Sequence, residues 1–489
     1  MKGLNRFSIA DTVEGTVGPR SRRSISVSAP FATAQYEKAM LPPRKDLDAL
    51  EADIVKQMEA GMRKANSSTI MMLPTYVLRL PTGEETGSCY AIDIGGTNFR
   101  VMHCKLSKEK GKVESSVIEQ VAIPRDVYTG TADALFGFLA RCMHDFVAKT
   151  RTAEDAAEPV VGFCFSFPME QAALDRATLS FWTKGFEVAG VEGQDVVKLL
   201  SDALVKAGCP CRVSAIINDS VGVLTAARYE DPATEIGIIL GTGTNACIVD
   251  KVSKMSKWRP AGASPETVTA INTEWGCYSS DLLPRVQEDK DLDEVSGAIK
   301  GKMLIEKMMS GLWMGDNARR ILLTFARRTQ LFGAKVPPAL EDPAAFTTAH
   351  LSMIESDCSP LRSTVARVLK EALGVNPADL CCETLYIVQS VCRLVVRRSA
   401  RMAAVATLAI LRLQGWLDAP RRLVVAVDGG VFLKYYNWRL FLDQYLREGL
   451  THAGKDAKKL AALLEFRPQA DGSCIGAAVL AAAAVAGDQ

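Results

Sequence analysis

The chain of 489 residues is 48% hydrophobic and 23% charged, a globular composition far from the class that stays unfolded for want of apolar surface. Its 58 basic and 56 acidic side chains leave a formal charge of +2, which excludes a bulk electrostatic drive toward nucleic acid or an anionic membrane and leaves a small substrate open. The length allows about three domains, or two large lobes built on extensive sheets.

The first thirty residues carry Lys2, Arg6, Arg20, Arg22 and Arg23 with five serines and no apolar secretory core. They read as a flexible or regulatory arm, with organelle targeting weakened by Asp11 and Glu14. Order is expected from Pro43, where Leu47, Leu50, Ile54, Val55, Met58 and Met62 fall at helical spacing. Thirteen cysteines show no C-x-x-C pair and no zinc-ligand spacing, so they are expected as reduced thiols in a cytosolic or similarly reducing compartment. The longest apolar run, Ala477 to Ala486, is well short of the roughly 20 residues of a membrane span and suits a packed helix.

Apolar strand candidates alternate with helical patterns at Cys89 to Asp93, Val160 to Phe165, Val213 to Ile217, Ile236 to Leu240 and Leu423 to Val427, which predicts an α/β architecture. One device occurs twice. Ala91-Ile-Asp93-Ile runs into Gly95-Gly96-Thr97-Asn98 and resumes as a strand from Phe99 to Leu106. Ile236 to Leu240 runs into Gly241-Thr242-Gly243-Thr244-Asn245 and resumes at Ala246. Either copy alone is equally a glycine hairpin turn. Two copies nearly 150 residues apart fit one turn per lobe, with backbone amides and threonine hydroxyls holding a nucleotide's phosphates from two sides. Neither copy is a Walker loop or a dinucleotide fingerprint, because no Gly-Lys-Ser/Thr follows and the strand continues where a helix would open.

Two acids stand where phosphoryl chemistry could use them. Asp93 precedes the first turn, placed to organise hydrated Mg²⁺ on the phosphates. Asp219 ends the run Val213-Ser-Ala-Ile-Ile-Asn218-Asp219, where it is a candidate base or, equally, a helix N-cap. With four histidines and none in a motif, a carboxylate is the better base.

Ala91-Ile-Asp-Ile-Gly-Gly-Thr-Asn-Phe-Arg-Val101, Phe165-Ser-Phe-Pro168, Trp182-Thr-Lys-Gly-Phe186, Asn218-Asp219, Gly241-Thr-Gly-Thr-Asn-Ala-Cys247 and Asn272-Thr-Glu-Trp-Gly276 together resemble, in order, the motifs of eukaryotic-type hexokinases and glucokinases. The resemblance runs from about Met72 to Ala486. It implies a two-lobed actin-like ATPase fold, ribonuclease H-like in topology, with sugar and ATP in the cleft. The implied small lobe is 76–219 with 473–489, and the large lobe 31–75 with 220–472.

The implied chemistry is transfer of a phosphoryl group from ATP to the 6-hydroxyl of glucose and related hexoses, the entry step of glycolysis, by a cytoplasmic enzyme. Asp219 would be the general base and Lys184 would balance charge at the transferred group. Ser166, Thr183, Lys184, Asn218, Asn245, Glu274 and Glu306 would hold the sugar, a set whose buried polar groups would go unpaired against an analogue lacking hydroxyls. Asp93, Gly95, Gly96, Thr97, Asn98, Gly241, Thr242, Gly243, Asp428, Gly429, Gly430 and Ser473 would face ATP and Mg²⁺, with Asp93 reaching the ion through water. Met303 stands where members often have Gln, and Gly430 where they often have Ser or Thr, so one contact to sugar and one to nucleotide could be absent. Two other readings are a sugar sensor without turnover and a chaperone-like ATPase. Intact glycine turns with Asp219 count against the first, and the sugar-holding set counts against the second.

Overall fold

The structure, a computed structural model, describes residues 28–96, 98–152, 155 and 158–486. Most of the expected N-terminal arm, together with Thr97, lies outside the described residues. Helical structure begins earlier than Pro43, in the helix Ser28–Met40. Met40 is fully buried and Tyr36 packs its ring against Phe325, so tertiary contacts hold a helix whose own sequence shows little amphipathic pattern. The predicted amphipathic helix follows at Asp48–Arg63, burying Leu50, Ile54, Met58 and Met62.

A short strand β1 (Leu73–Pro74) precedes β2 (Gly87–Ile94), β3 (Asn98–Leu106) and β4 (Val113–Ala122), which form an antiparallel meander. After β5 (Val160–Phe165) comes a hairpin of β6 (Met169–Ala173) and β7 (Arg176–Leu179), and β8 (Arg212–Ile217) then returns parallel to β5. These strands make a five-stranded sheet ordered β4-β3-β2-β5-β8. The second half repeats the plan: β9 (Thr234–Leu240), β10 (Thr244–Lys251) and β11 (Val268–Asn272) form a meander, and β12 (Leu423–Asp428) and β13 (Leu464–Pro468) add in parallel. The larger sheet is ordered β1-β11-β10-β9-β12-β13. In each sheet the first strand of the meander therefore lies inside, with the rest of the meander to one side and the two parallel strands to the other, and β1 adds an edge strand to the larger sheet. The two glycine turns are the equivalent first-to-second-strand connections, after Ile94 and after Leu240. Phe99 to Leu106 and Ala246 to Val249 lie in strands as predicted.

Two helices pass between the sheets, Asp219–Glu230 leaving the smaller one and Gly472–Ala486 returning to it. They cross with almost no space between backbones: a Cβ added at Gly476 would stand 1.9 Å from the Gly222 carbonyl oxygen, and one at Gly222 would stand 2.7 Å from Ser473 Cα. Only glycine admits that approach. The alanine-rich C-terminal run is thus a packed helix, with Ala477, Ala478, Val479 and Leu480 buried against the smaller sheet beside Ala91, Cys164 and Ala215. Helices Ala132–Thr150 and Val196–Lys206 cover that sheet's other face. All thirteen cysteines are free thiols, and no helix among the described residues is long and apolar enough to cross a membrane.

Candidate active site

The parallel strands of the smaller sheet, β5 and β8, run out at Phe165 and Ile217, and the next residues, Ser166, Asn218 and Asp219, lie where β2 also ends. Ligand sites in open α/β sheets form at such strand ends. The ambiguity over Asp219 is resolved by its neighbour. Asn218 is the N-cap, its backbone extended and its side-chain oxygen accepting from the Ser220 amide at 3.0 Å. Asp219 is therefore the first helical residue, partly exposed, with one oxygen taking the Ser220 amide at 2.8 Å.

Burial pushes the Asp219 carboxyl up, opposed by the Lys184 ammonium and by hydrogen bonding from Ser166, while Asp93 adds to the rise. Lys184 holds a left-handed backbone (φ 58°), and its ammonium donates to the Ser166 carbonyl at 2.7 Å while lying over the Phe167 ring. The first glycine turn closes on the same group. A Cβ at Gly95 would sit 2.8 Å from Ser166 Oγ and 3.8 Å from Lys184 Nζ, whereas Gly96 faces open space.

From the larger sheet comes a linked amide and carboxylate set. Asn245 Nδ2 donates to Asn218 Oδ1 at 3.1 Å, Asn272 Oδ1 at 2.9 Å and Glu274 Oε1 at 3.1 Å, and Asn272 Nδ2 donates to Glu274 Oε1 at 2.7 Å. Asn218 Oδ1 is thus spent on Ser220 and Asn245, so contact with a ligand falls to its NH₂ group. Burial raises Glu274, and it raises Glu306 to about 7 despite the Thr244 amide and Lys184. The second glycine turn abuts Glu306, since a Cβ at Gly243 would stand 3.1 Å from Glu306 Oε2. Both turns therefore converge on one cleft containing Asp219, Lys184, Glu274 and Glu306. Thr183 is partly buried beside Lys184, in a loop where Trp182 stacks on Phe186.

Next to the second turn, Gly241, Thr242, Gly311, Leu312, Gly430, Lys434 and Tyr435 line a cavity of about 720 Å³ whose wall is mostly apolar. Gly429 holds φ 110°, and a Cβ there would stand 2.4 Å from the Leu240 carbonyl. Asp428 lies beneath it, raised to about 6 by burial.

One placement differs from the sequence reading. Ser473, expected to face the nucleotide, is 2% exposed, and its hydroxyl donates to Asp93 Oδ2 at 2.9 Å because the helix crossing draws it under the small-lobe sheet. Asp93 is moreover paired with Arg100, its cross-strand partner in the β2–β3 register. Arg100 also reaches Asp471 at 2.8 Å. Arg100 and Asn272 were each within quoted motifs without a role. A charged residue directly opposite Asp93 in an antiparallel pair was the available signal for the first, and an amide two residues before Glu274 for the second. No side-chain placement is described for Asn98; its backbone opens β3.

Two sheets of one core topology, with paired glycine turns facing a polar cleft, define a two-lobed protein of the actin-like ATPase fold. Family models described as hexokinase match residues 32–229 and 235–483. The chain is 37% identical over 468 residues to the hexokinase-like 1 protein of Arabidopsis thaliana, covering 94% of this chain and 92% of that protein. It is 37% identical over 478 residues to hexokinase-1 of Nicotiana tabacum, with 95% and 93% covered. The structure of hexokinase from Schistosoma mansoni complexed with glucose superposes with a TM-score of 0.79 at 30% identity, covering 93% of this chain and 99% of that one. The chain belongs to the hexokinase family. The match begins about forty residues before Met72, taking in the two N-terminal helices.

Proposed function

We propose that the protein transfers the γ-phosphoryl group of ATP to the 6-hydroxyl of glucose and of related hexoses, with Asp219 as general base. The observation that carries this reading is the convergence of both glycine turns on Asp219 and Lys184, with Glu274, Glu306 and Asn245 on the facing wall. A polyol's hydroxyls need acceptors and donors at several points, and carboxylates paired with amides supply both. Asp219 takes the proton of the primary hydroxyl as its oxygen attacks phosphorus. Burial raises its affinity for a proton, which favours a role as base, and Lys184 and Ser166 oppose that rise by favouring the carboxylate. The backbone amides of both turns, with Lys184, lie where charge accumulates on the transferred group.

The residues fit a hydrated Mg²⁺ carried by ATP better than a protein-held ion. No group of three or more metal-ligating side chains occurs among the described residues, and Mg²⁺ characteristically keeps its waters and the substrate's phosphates. Asp93, whose Oδ2 takes Arg100 and Ser473, would hold that ion through water, and the ion would neutralise phosphate charge. The apolar cavity beside Gly241 and Gly430 suits the adenosine, and the cleft between the sheets excludes water as a competing nucleophile on closing. A coupled assay with ATP, Mg²⁺ and a panel of hexoses tests the reading. Sugar-dependent ADP release with a 6-phosphorylated product is expected, and ATP hydrolysis indifferent to sugar would overturn it.

A further inference from the structure

The helix that carries Glu306, Leu304–Met309, has six residues, too few to hold its shape unaided. It starts from a left-handed residue, Met303 (φ 55°). Something outside it must therefore fix where the Glu306 carboxylate stands. The next residue, Lys307, is 4% exposed, and its ammonium donates three hydrogen bonds, to Asp293 Oδ1 at 2.6 Å, Ser296 Oγ at 2.8 Å and the Ile299 carbonyl at 2.7 Å. Those are all the hydrogens it has. Asp293 also accepts the Gly301 amide at 2.9 Å, which folds 293–301 around the ammonium.

The anchor itself is fixed from two sides. Asp293 belongs to the helix Gln287–Glu294. In that helix Glu288 accepts from Tyr36 of the first helix and from Thr324, and Asp289 takes the fully buried Arg398 in a two-pronged pair at 2.6 and 2.7 Å. Buried charge pairs of this kind hold geometry firmly because breaking one strands the partner's charge. The chain of contacts then runs from the core helix Cys382–Leu413, through Asp289 and Asp293, to Lys307 and the neighbouring Glu306, whose Oε2 takes the Thr244 amide of the second glycine turn at 3.0 Å.

We infer that Lys307, locked by Asp293 and Ser296, is a positioning residue that sets Glu306 for the sugar, with a larger effect on the sugar side than on the nucleotide side. The inference takes the proposed sugar role of Glu306 as its premise. Lys307 acts by geometry, since its charge is answered by Asp293 and its ammonium points away from the cleft into the 293–301 loop.

The test is steady-state kinetics on the full chain. The double variant Lys307→Met/Asp293→Asn removes both charges together, so neither is stranded. Losing the clamp is expected to raise the KM for glucose about tenfold or more, with the KM for ATP within about threefold of wild type. Adding Glu306→Gln to that double variant is expected to raise the glucose KM by less than about threefold further, because a misplaced carboxylate has little left to lose. Ser296→Ala removes one acceptor and keeps the pair, and a smaller rise of about threefold is expected. An unchanged glucose KM in both clamp variants, or equal rises for glucose and ATP, overturns the inference. Should the double variant not fold, Ser296→Ala decides. If Glu306→Gln alone leaves the glucose KM unchanged, the sugar role of Glu306 fails first. A rise there with none in the clamp variants overturns the positioning role alone.

Discussion

The backbone amide of Thr244 donates to Glu306 Oε2 at 3.0 Å, so the turn assigned to phosphate and a carboxylate assigned to sugar share one hydrogen bond. Trp275 completes the link by donating its indole N–H to Thr244 Oγ1 at 2.9 Å. A sugar hydroxyl that pulls Glu306 would therefore act on the second glycine turn directly.

Burial lifts Glu306 from the ordinary carboxylate range to about 7. Between about pH 4.5 and 7 the folded protein keeps a proton that the unfolded chain releases, so the stability this group contributes is present at low pH and is lost as pH rises through about 7. Glu306→Gln should remove that slope. Thermal melts of the ligand-free protein at pH 5 and pH 8 should show the variant gaining relative to wild type at the higher pH, on the order of 1–2 kcal/mol. Parallel pH profiles for the two proteins would contradict the assignment.

Asp219→Ala should lower turnover by about 10² to 10⁴ while sugar binding largely persists, because only proton removal is lost. Equilibrium glucose binding measured beside kcat separates the two effects, and a near-normal kcat would remove Asp219 from the chemistry.

Lys184 is held by the Ser166 carbonyl on a left-handed backbone, which keeps its ammonium near Asp219. Lys184→Ala should cut kcat by about 10²-fold or more through lost charge stabilisation, with a smaller change in sugar affinity. The reverse pattern would make Lys184 a sugar-holding group.

At the crossing of the two interlobe helices, a methyl group on Gly476 would fall 1.9 Å from the Gly222 carbonyl. Gly476→Ala should destabilise by about 1–3 kcal/mol or more, since the backbones must separate. Urea denaturation reads this directly, and a wild-type midpoint would mean that the helices have room to move apart.

Much of this was legible in the chain. Short continuous apolar runs identify the strands and a period-3.6 pattern identifies the amphipathic helix, because both report which surfaces are buried whatever those surfaces meet. The two Gly-Thr-Asn turns and the Asn218-Asp219 strand end were visible for a similar reason, as a turn's chemistry is local. The helix Ser28–Met40 was not, since contacts such as that of Tyr36 with Phe325 hold it in place.

What the sequence determined by itself was the duplicated strand, glycine turn, strand device and the residue types able to bind a sugar and phosphates. What tertiary structure decided was partnership. It made Asn218 the cap and left Asp219 to the cleft, drew Ser473 under Asp93, and joined Arg100 to Asp471 across 371 positions of chain. A hydrogen bond or an ion pair depends on distance in space, and only the packing of two sheets against two crossing helices brings such remote groups within reach.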